Sequence, residues 1–302
     1  MVEVNNKGGC AKDNSIPSSI HTRLMKKVLG IFRATCYSPG MAERDEAILR
    51  DVAKRLVAMN YKVDLIHEEE FTPETPMPDI VFHMARSPYV LDLLQTWQKA
   101  GCQVINSVES IRNVERASLA RLCETRGIPT PKTWIVSTTA PKPAKITYPC
   151  WMKRTGTCAQ TSNDVCHIKN EEEYMQCIAH FHERDIHEVV VMEHLEGPCI
   201  KFYAVKGTHF FHCLSAYNKW EGATLPTSTT EDTSSYAQVI TRSLIPHIEA
   251  AETPTIYGGD VIIADNIAYL IDLNDWPSFS SCRETAAEAI ALLVIKITSR
   301  NT

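Results

Sequence analysis

Apolar residues along the chain alternate between short continuous runs and stretches of helical spacing, and polar turns separate them. Val28-Leu29-Gly30-Ile31-Phe32 is a buried strand. Ser38-Pro39-Gly40 is a turn, and Ile48, Leu49, Val52, Leu56 and Val57 recur at the spacing of one helix face. Strand 62–66 follows. A strand, a helix and a strand within about 40 residues form a right-handed crossover, which requires parallel strands. Strands at 79–83 and 103–106, with a helix over 89–100 between them, extend the pattern to an open parallel α/β domain.

Helices are predicted over 113–127, ending at Gly127, over 171–183, with Tyr174, Cys177, Ile178 and Phe181 inward, over 236–250, and from Cys282 onward. Strands are predicted after Thr133, at 148–153, 165–168 and 189–193, and as a hairpin of 200–207 with 209–215. A second hairpin joins Gly259–Ile263 to 267–277 through the turn-prone Ala264-Asp265-Asn266. Residues 1–26 and the Thr/Ser-rich segment 217–235 carry no core pattern, and the latter is expected to be a mobile loop over a site. Four units are expected: a leader (1–26), an N-terminal Rossmann-like domain (27–110), a linker helix with a small sheet (111–197) and a C-terminal unit (198–302).

Composition narrows the class. The chain has 302 residues, of which 44% are hydrophobic, enough for a sizeable core. No apolar run approaches the roughly 20 residues that span a bilayer, and no signal-peptide centre is visible near the start, so a cytoplasmic location without a membrane partner is expected. Eleven cysteines, an odd number with no Cys-x-x-Cys pair, read as free thiols. A formal charge of −5 without a basic run argues against a nucleic-acid partner.

Candidate chemistry concentrates in the second hairpin. Asp260 opens its first strand, and Asp272 and Asn274, two apart and on one face, end its second. Two carboxylates and an amide oxygen suit a hard cation such as Mg²⁺, while an acidic hairpin end solvated by water fits the same pattern. In open α/β sheets ligands gather at the carboxyl ends of the strands, which nominates Ser38, Arg86 and Asn106 for substrate. Arg86 suits a carboxylate or phosphate, although an arginine at a strand end is also commonly just solvated.

Asp260, then Asp272-x-Asn274 followed by Trp276-Pro277-Ser278-Phe279, resembles the metal-binding end of the ATP-grasp superfamily, with Asp for the usual Glu and Pro-Ser-Phe for the usual Pro-Gly-Phe. The resemblance extends from about residue 28 to the end and is most similar to glutathione synthetase-like carboxylate-amine ligases, with some similarity to inositol phosphate kinases. It implies an ATP-grasp fold in which a Rossmann-like domain is followed by a small α+β lid and a C-terminal α+β domain. It also implies ATP with Mg²⁺, or Mn²⁺ in its place, held by Asp260, Asp272 and Asn274. Arg116 stands where relatives carry a phosphate-binding Lys, and Lys153 ends the strand whose Lys reaches the α- and β-phosphates. The segment Met192-Glu193-His194-Leu195-Glu196-Gly197 resembles the hinge whose backbone holds adenine, with Glu196 toward the ribose. Lys201 takes the place of a cation that contacts the transferred phosphoryl group, and Arg283 lies just past the metal end, suited to substrate.

The implied activity is ATP-dependent joining of a small-molecule carboxylate to an amine through an acyl phosphate, by a homodimer as in relatives. A small-molecule kinase is the second expectation. A third is a nucleotide-binding module without turnover, suggested by Arg116, by a loop after Lys153 with only Gly156, and by Ser278.

Overall fold

The computed structural model describes residues 26–156, 161–215 and 233–300, and their strands form three four-stranded sheets. The first is parallel: β1 (Lys27–Phe32), β2 (Lys62–His67), β3 (Ile80–His83) and β4 (Gln103–Ile105), in the order β2-β1-β3-β4. Helices α1 (Ala42–Ala58) and α2 (Pro88–Lys99) make the crossovers. β1 is buried from Val28 to Phe32, which accounts for its continuous apolar run.

The second sheet is antiparallel, in the order β5-β8-β6-β7, from β5 (Thr133–Ser137), β6 (Cys150–Arg154), β7 (Val165–Ile168) and β8 (Glu188–Glu193). Helix α5 (Glu171–Glu183) covers one face, packing Tyr174, Cys177, Ile178 and Phe181 against Cys150, Met152, Val189 and Val191. Strand alternation therefore turns Trp151, Lys153, Val190 and Met192 to the opposite face. The third sheet, β10-β9-β11-β12, comprises β9 (Cys199–Val205), β10 (Phe211–Ser215), β11 (Ile256–Ala264) and β12 (Ile267–Asp275). Asp265 and Asn266, both at positive φ, close the β11–β12 hairpin.

Two helices predicted as continuous are each divided. In place of one helix over 113–127 there are α3 (Val108–Asn113), capped by Ser107, and α4 (Arg116–Arg126), with Glu115 extended between them and Gly127 left-handed at the end. In place of 236–250 there are α6 (Ser234–Ser243) and α7 (Ile245–Ala250). Pro246, without an N–H, sits in the first turn of α7 where that hydrogen is not needed. The last helix, α8 (Arg283–Arg300), packs on α1 at the other end of the chain. Ile48, Leu56 and Phe82 share one core with Trp276, Phe279, Ile290 and Val294, so this core draws on both termini. Most of the segment predicted as a mobile loop, 217–232, lies outside the described residues. No helix among those described is long and apolar enough to cross a membrane.

Candidate active site

Three neighbouring strands place three charges in a row. In register, Lys201 of β9 is opposite Asp260 of β11, and Asp260 is opposite Asp272 of β12. The Lys201 ammonium lies 2.7 Å from Asp260 Oδ1, both side chains being only partly exposed. Just past this row the ladder slips: Asp260 pairs with Asp272 but Val261 pairs with Leu270, leaving Ile271 as the extra residue of a β-bulge. Asn274 lies on the same face of β12 as Asp272 and helps to lower the Asp272 pKa. The structure thus brings Asp260, Asp272 and Asn274 together. Two carboxylates and an amide oxygen fit Mg²⁺, which keeps several waters and takes other ligands from phosphate. Among the described residues no three His, Cys, Asp or Glu side chains group as metal ligands, and this cluster offers two carboxylates and one amide.

The second sheet faces this row with cations. Lys153, nine-tenths buried, donates to the carbonyl of the bulged Ile271 at 2.7 Å. Arg116, the first residue of α4, donates from Nη1 to Arg154 O at 3.1 Å. Burial lowers the Lys153 pKa, and the Asp272 carboxylate opposes that shift. Burial also pushes Asp272 upward, but Arg116, Lys153 and Lys201 together outweigh it and hold this carboxyl below its usual range. For Asp260 burial wins over Lys201 and its pKa rises. For Lys201 the attraction of Asp260 exceeds the cost of burial and its pKa rises too. The oxygen cluster and Lys153 therefore face each other. Beside Lys153, α4 and the two sheets enclose a cavity of about 20 Å³, lined by Arg116, Lys153, Met192 and Leu270 among others. That is room for one water.

The predicted hinge leaves β8 at Met192 and Glu193. The Glu193 and His194 amides donate within the protein, to Lys132 O at 2.8 Å and Pro149 O at 3.3 Å. Trp151 Nε1 donates to His194 Nδ1 at 3.0 Å, which leaves the proton on Nε2, 3.3 Å from Glu196 Oε1. Leu195 is half-buried and Glu196 exposed. Gly197 has a φ of +150°, and a Cβ there would strike the Ile263 carbonyl of β11, so only glycine lets the turn lie this close to the third sheet.

At the carboxyl ends of the parallel strands a cleft of about 380 Å³ runs to the charge row, and Ser38, Arg86, Lys201, Tyr203 and Asn274 are among its lining. Arg86, nominated for substrate, lines it, but its guanidinium is paired with the buried Asp275. Asn106 requires correction. It is wholly buried, and its amide accepts from Ile256 N at 2.7 Å and donates to Ile256 O at 2.8 Å, so it braces the third sheet against the first and has no group left for substrate. Arg283 begins α8 and does not line this cleft.

Sequence reasoning missed four residues here. Arg33 donates to Asp45 Oδ2 at 3.0 Å and to the carbonyls of Met84 and Trp276. Asp45 also accepts from Ser38 at 2.6 Å. Buried Glu68 accepts from the amides of Ala34, Arg86 and Ser87, tying two strand ends together. Arg33 follows β1 directly, the same strand-end signal that nominated Arg86. Glu68 stands in a Glu-Glu-Glu run that reads as solvated, and Asp275 follows the metal triplet with no signal of its own.

No known family model matches the sequence, and no curated protein matches it either. Solved structures do match in three dimensions. D-alanine--D-alanine ligase from Bacillus anthracis, complexed with ATP, superimposes with a TM-score of 0.68 at 12% identity over 92% of this chain and 100% of its own. The RimK domain protein ATP-grasp from Sphaerobacter thermophilus gives 0.64 at 14% identity, covering 89% and 99%. With the sheet order and charge row described above, these likenesses establish that the chain has the ATP-grasp fold.

Proposed function

We propose that the protein is a Mg-ATP-dependent ligase that activates the carboxylate of a small molecule as an acyl phosphate and couples it to an amine. The observation that carries this reading is the row Lys201–Asp260–Asp272, with Lys153 opposite it and Lys201 and Asn274 lining the adjoining 380 Å³ cleft. The two similar structures support it. One is a ligase joining two amino acids, recorded with ATP.

In this reading Asp260, Asp272 and Asn274 hold Mg²⁺, or Mn²⁺ in its place. When bound, the metal neutralises charge on the phosphates and fixes their orientation. Arg116 and Lys153 take the α- and β-phosphates, and Lys201 takes the transferred group. The Met192–Glu196 segment borders the base and ribose. Lys153 must then exchange the Ile271 carbonyl for phosphate, and the two sheets must part beyond their present water-sized gap. The cleft supplies the acid and amine subsites, with Ser38 among its lining and the ion-paired Arg33 and Arg86 as its wall. Bringing carboxylate, phosphorus and amine into line is the main contribution of such a site, since the chemistry needs position and charge more than a strong base.

A kinase acting on a phosphorylated polyol needs a dense cluster of free cations. The cleft's cations are Arg33, Arg86 and Lys201, each already beside a carboxylate, which favours the ligase. The test is release of ADP and phosphate from ATP with panels of acids and amines. Product formation that needs both partners supports the ligase. A phosphorylated product without free phosphate supports the kinase. Tight Mg-ATP binding with no turnover on any panel supports a nucleotide-binding module.

A further inference from the structure

Around the metal triplet the chain's own charges do not balance. Arg116, Lys153 and Lys201 surround Asp272, and Lys201 and Lys153 act also on Asp260. Three cations face two carboxylates, a surplus of one positive charge before any ligand arrives. The closest contact in the set is the 2.7 Å ion pair of Lys201 with Asp260 Oδ1. Its geometry follows from the register, because Lys201 and Asp260 are direct cross-strand partners and Asp260 is the partner of Asp272 in turn. The ammonium therefore lies against an oxygen that a divalent cation would use.

Entry of a free divalent cation would raise the surplus from one to three in a partly buried site, where charges are screened less than in open water. A nucleoside triphosphate, with a charge of about −4, reverses the sign when it enters with the metal. It also offers the ammonium a new partner. Lysine is suited to this exchange, since its charge sits on a flexible four-carbon stem while the strand fixes its Cα. Both Lys201 and Asn274 line the substrate cleft, so the ammonium has open space on that side.

We propose that Lys201 is a built-in counter-ion of Asp260, which a divalent cation displaces only when a polyphosphate arrives to receive the ammonium. The inference rests on the nucleotide reading of the site, and it assigns Lys201 a positioning role before any phosphoryl group is transferred. Metal and triphosphate then load as one unit, and metal alone is refused.

The test measures Mn²⁺ binding without nucleotide, by electron paramagnetic resonance of the free ion, on wild type, Lys201→Met and Lys201→Arg. Removing one neighbouring positive charge is expected to tighten Mn²⁺ binding about tenfold or more in Lys201→Met, with Lys201→Arg close to wild type. Equal affinity in wild type and Lys201→Met, including no binding by either, overturns the proposal. A second arm guards against a misfolded variant. With EDTA present, ATP alone is titrated into wild type and Asp260→Asn, where the ammonium is already released. Tighter metal-free ATP binding by Asp260→Asn supports the proposal, and no gain overturns it. The Mn²⁺ comparison needs no turnover and no nucleotide, so its failure is distinct from failure of the ligase reading, which appears as absence of Mg-ATP binding in wild type.

Discussion

Two regions of this molecule collect charged side chains, and they do so differently. At the ends of the parallel strands Arg33 meets Asp45, Arg86 meets Asp275, and Glu68 accepts from three backbone amides. Each of these charges has a protein partner. Between the second and third sheets, cations outnumber carboxylates, and Lys153 donates its hydrogen bond to a backbone carbonyl. Balanced buried charge marks scaffold, whereas a surplus of one sign facing a gap marks a place that awaits a ligand.

That contrast can be broken by mutation. Lys153→Met removes a group of the unbalanced region and is expected to lower ADP formation roughly 10³-fold. Its stability cost is expected to stay near that of one hydrogen bond, about 1 kcal/mol by chemical denaturation. Asn106→Ala attacks the scaffold instead. Because it strands the Ile256 N–H and C=O in the interior, it is expected to cost about 2–4 kcal/mol of stability. Mg-ATP affinity is expected to remain within about twofold by calorimetry.

A pH dependence follows from His83, which is fully buried, with Nε2 on the Asn106 carbonyl. Burial pushes this imidazole down from 6.5 to about 4, so the unfolded chain binds a proton between those values that the folded chain refuses. Stability is therefore expected to fall as pH drops from 6.5 toward 4, by about 1.4 kcal/mol per unit at most from this group. Denaturation midpoints of His83→Gln should show a flatter profile over that window. The smallest effect is expected from Glu196→Gln, which removes the charge from an exposed contact with His194. A stability change below about 1 kcal/mol and a rise of a few-fold in KM for ATP would match that placement.

Much of this architecture was readable beforehand because it rests on short-range physics. The crossover units follow from apolar runs and helical spacing, and the β11–β12 hairpin from its turn residues. The gathering of Asp260, Asp272 and Asn274 at one end follows from strand alternation. What escaped depends on partners distant in the chain. Asn106 sits at a strand end like a ligand-binding residue, yet the segment that claims its amide is 150 positions away. Arg86 looked available until the fold placed Asp275 beside it. Glu68 gave no signal because a glutamate in an acidic run is ordinarily solvated, and only the return of β1 and β3 supplies the amides it accepts from. The breaks at Val114 and Leu244 lie inside patterns whose apolar spacing continues across them. The bulge at Ile271, which turns a carbonyl to Lys153, is likewise invisible in a strand of ordinary composition.

The claim that the unbalanced region is a nucleotide site is tested most directly by calorimetric titration of Mg-ATP into the wild-type protein and Asp272→Asn, without acid or amine substrate. Saturable binding by the wild type, weakened about a hundredfold or more in the variant, is the expected result. Equal affinity in both proteins, or no binding by the wild type, would contradict it.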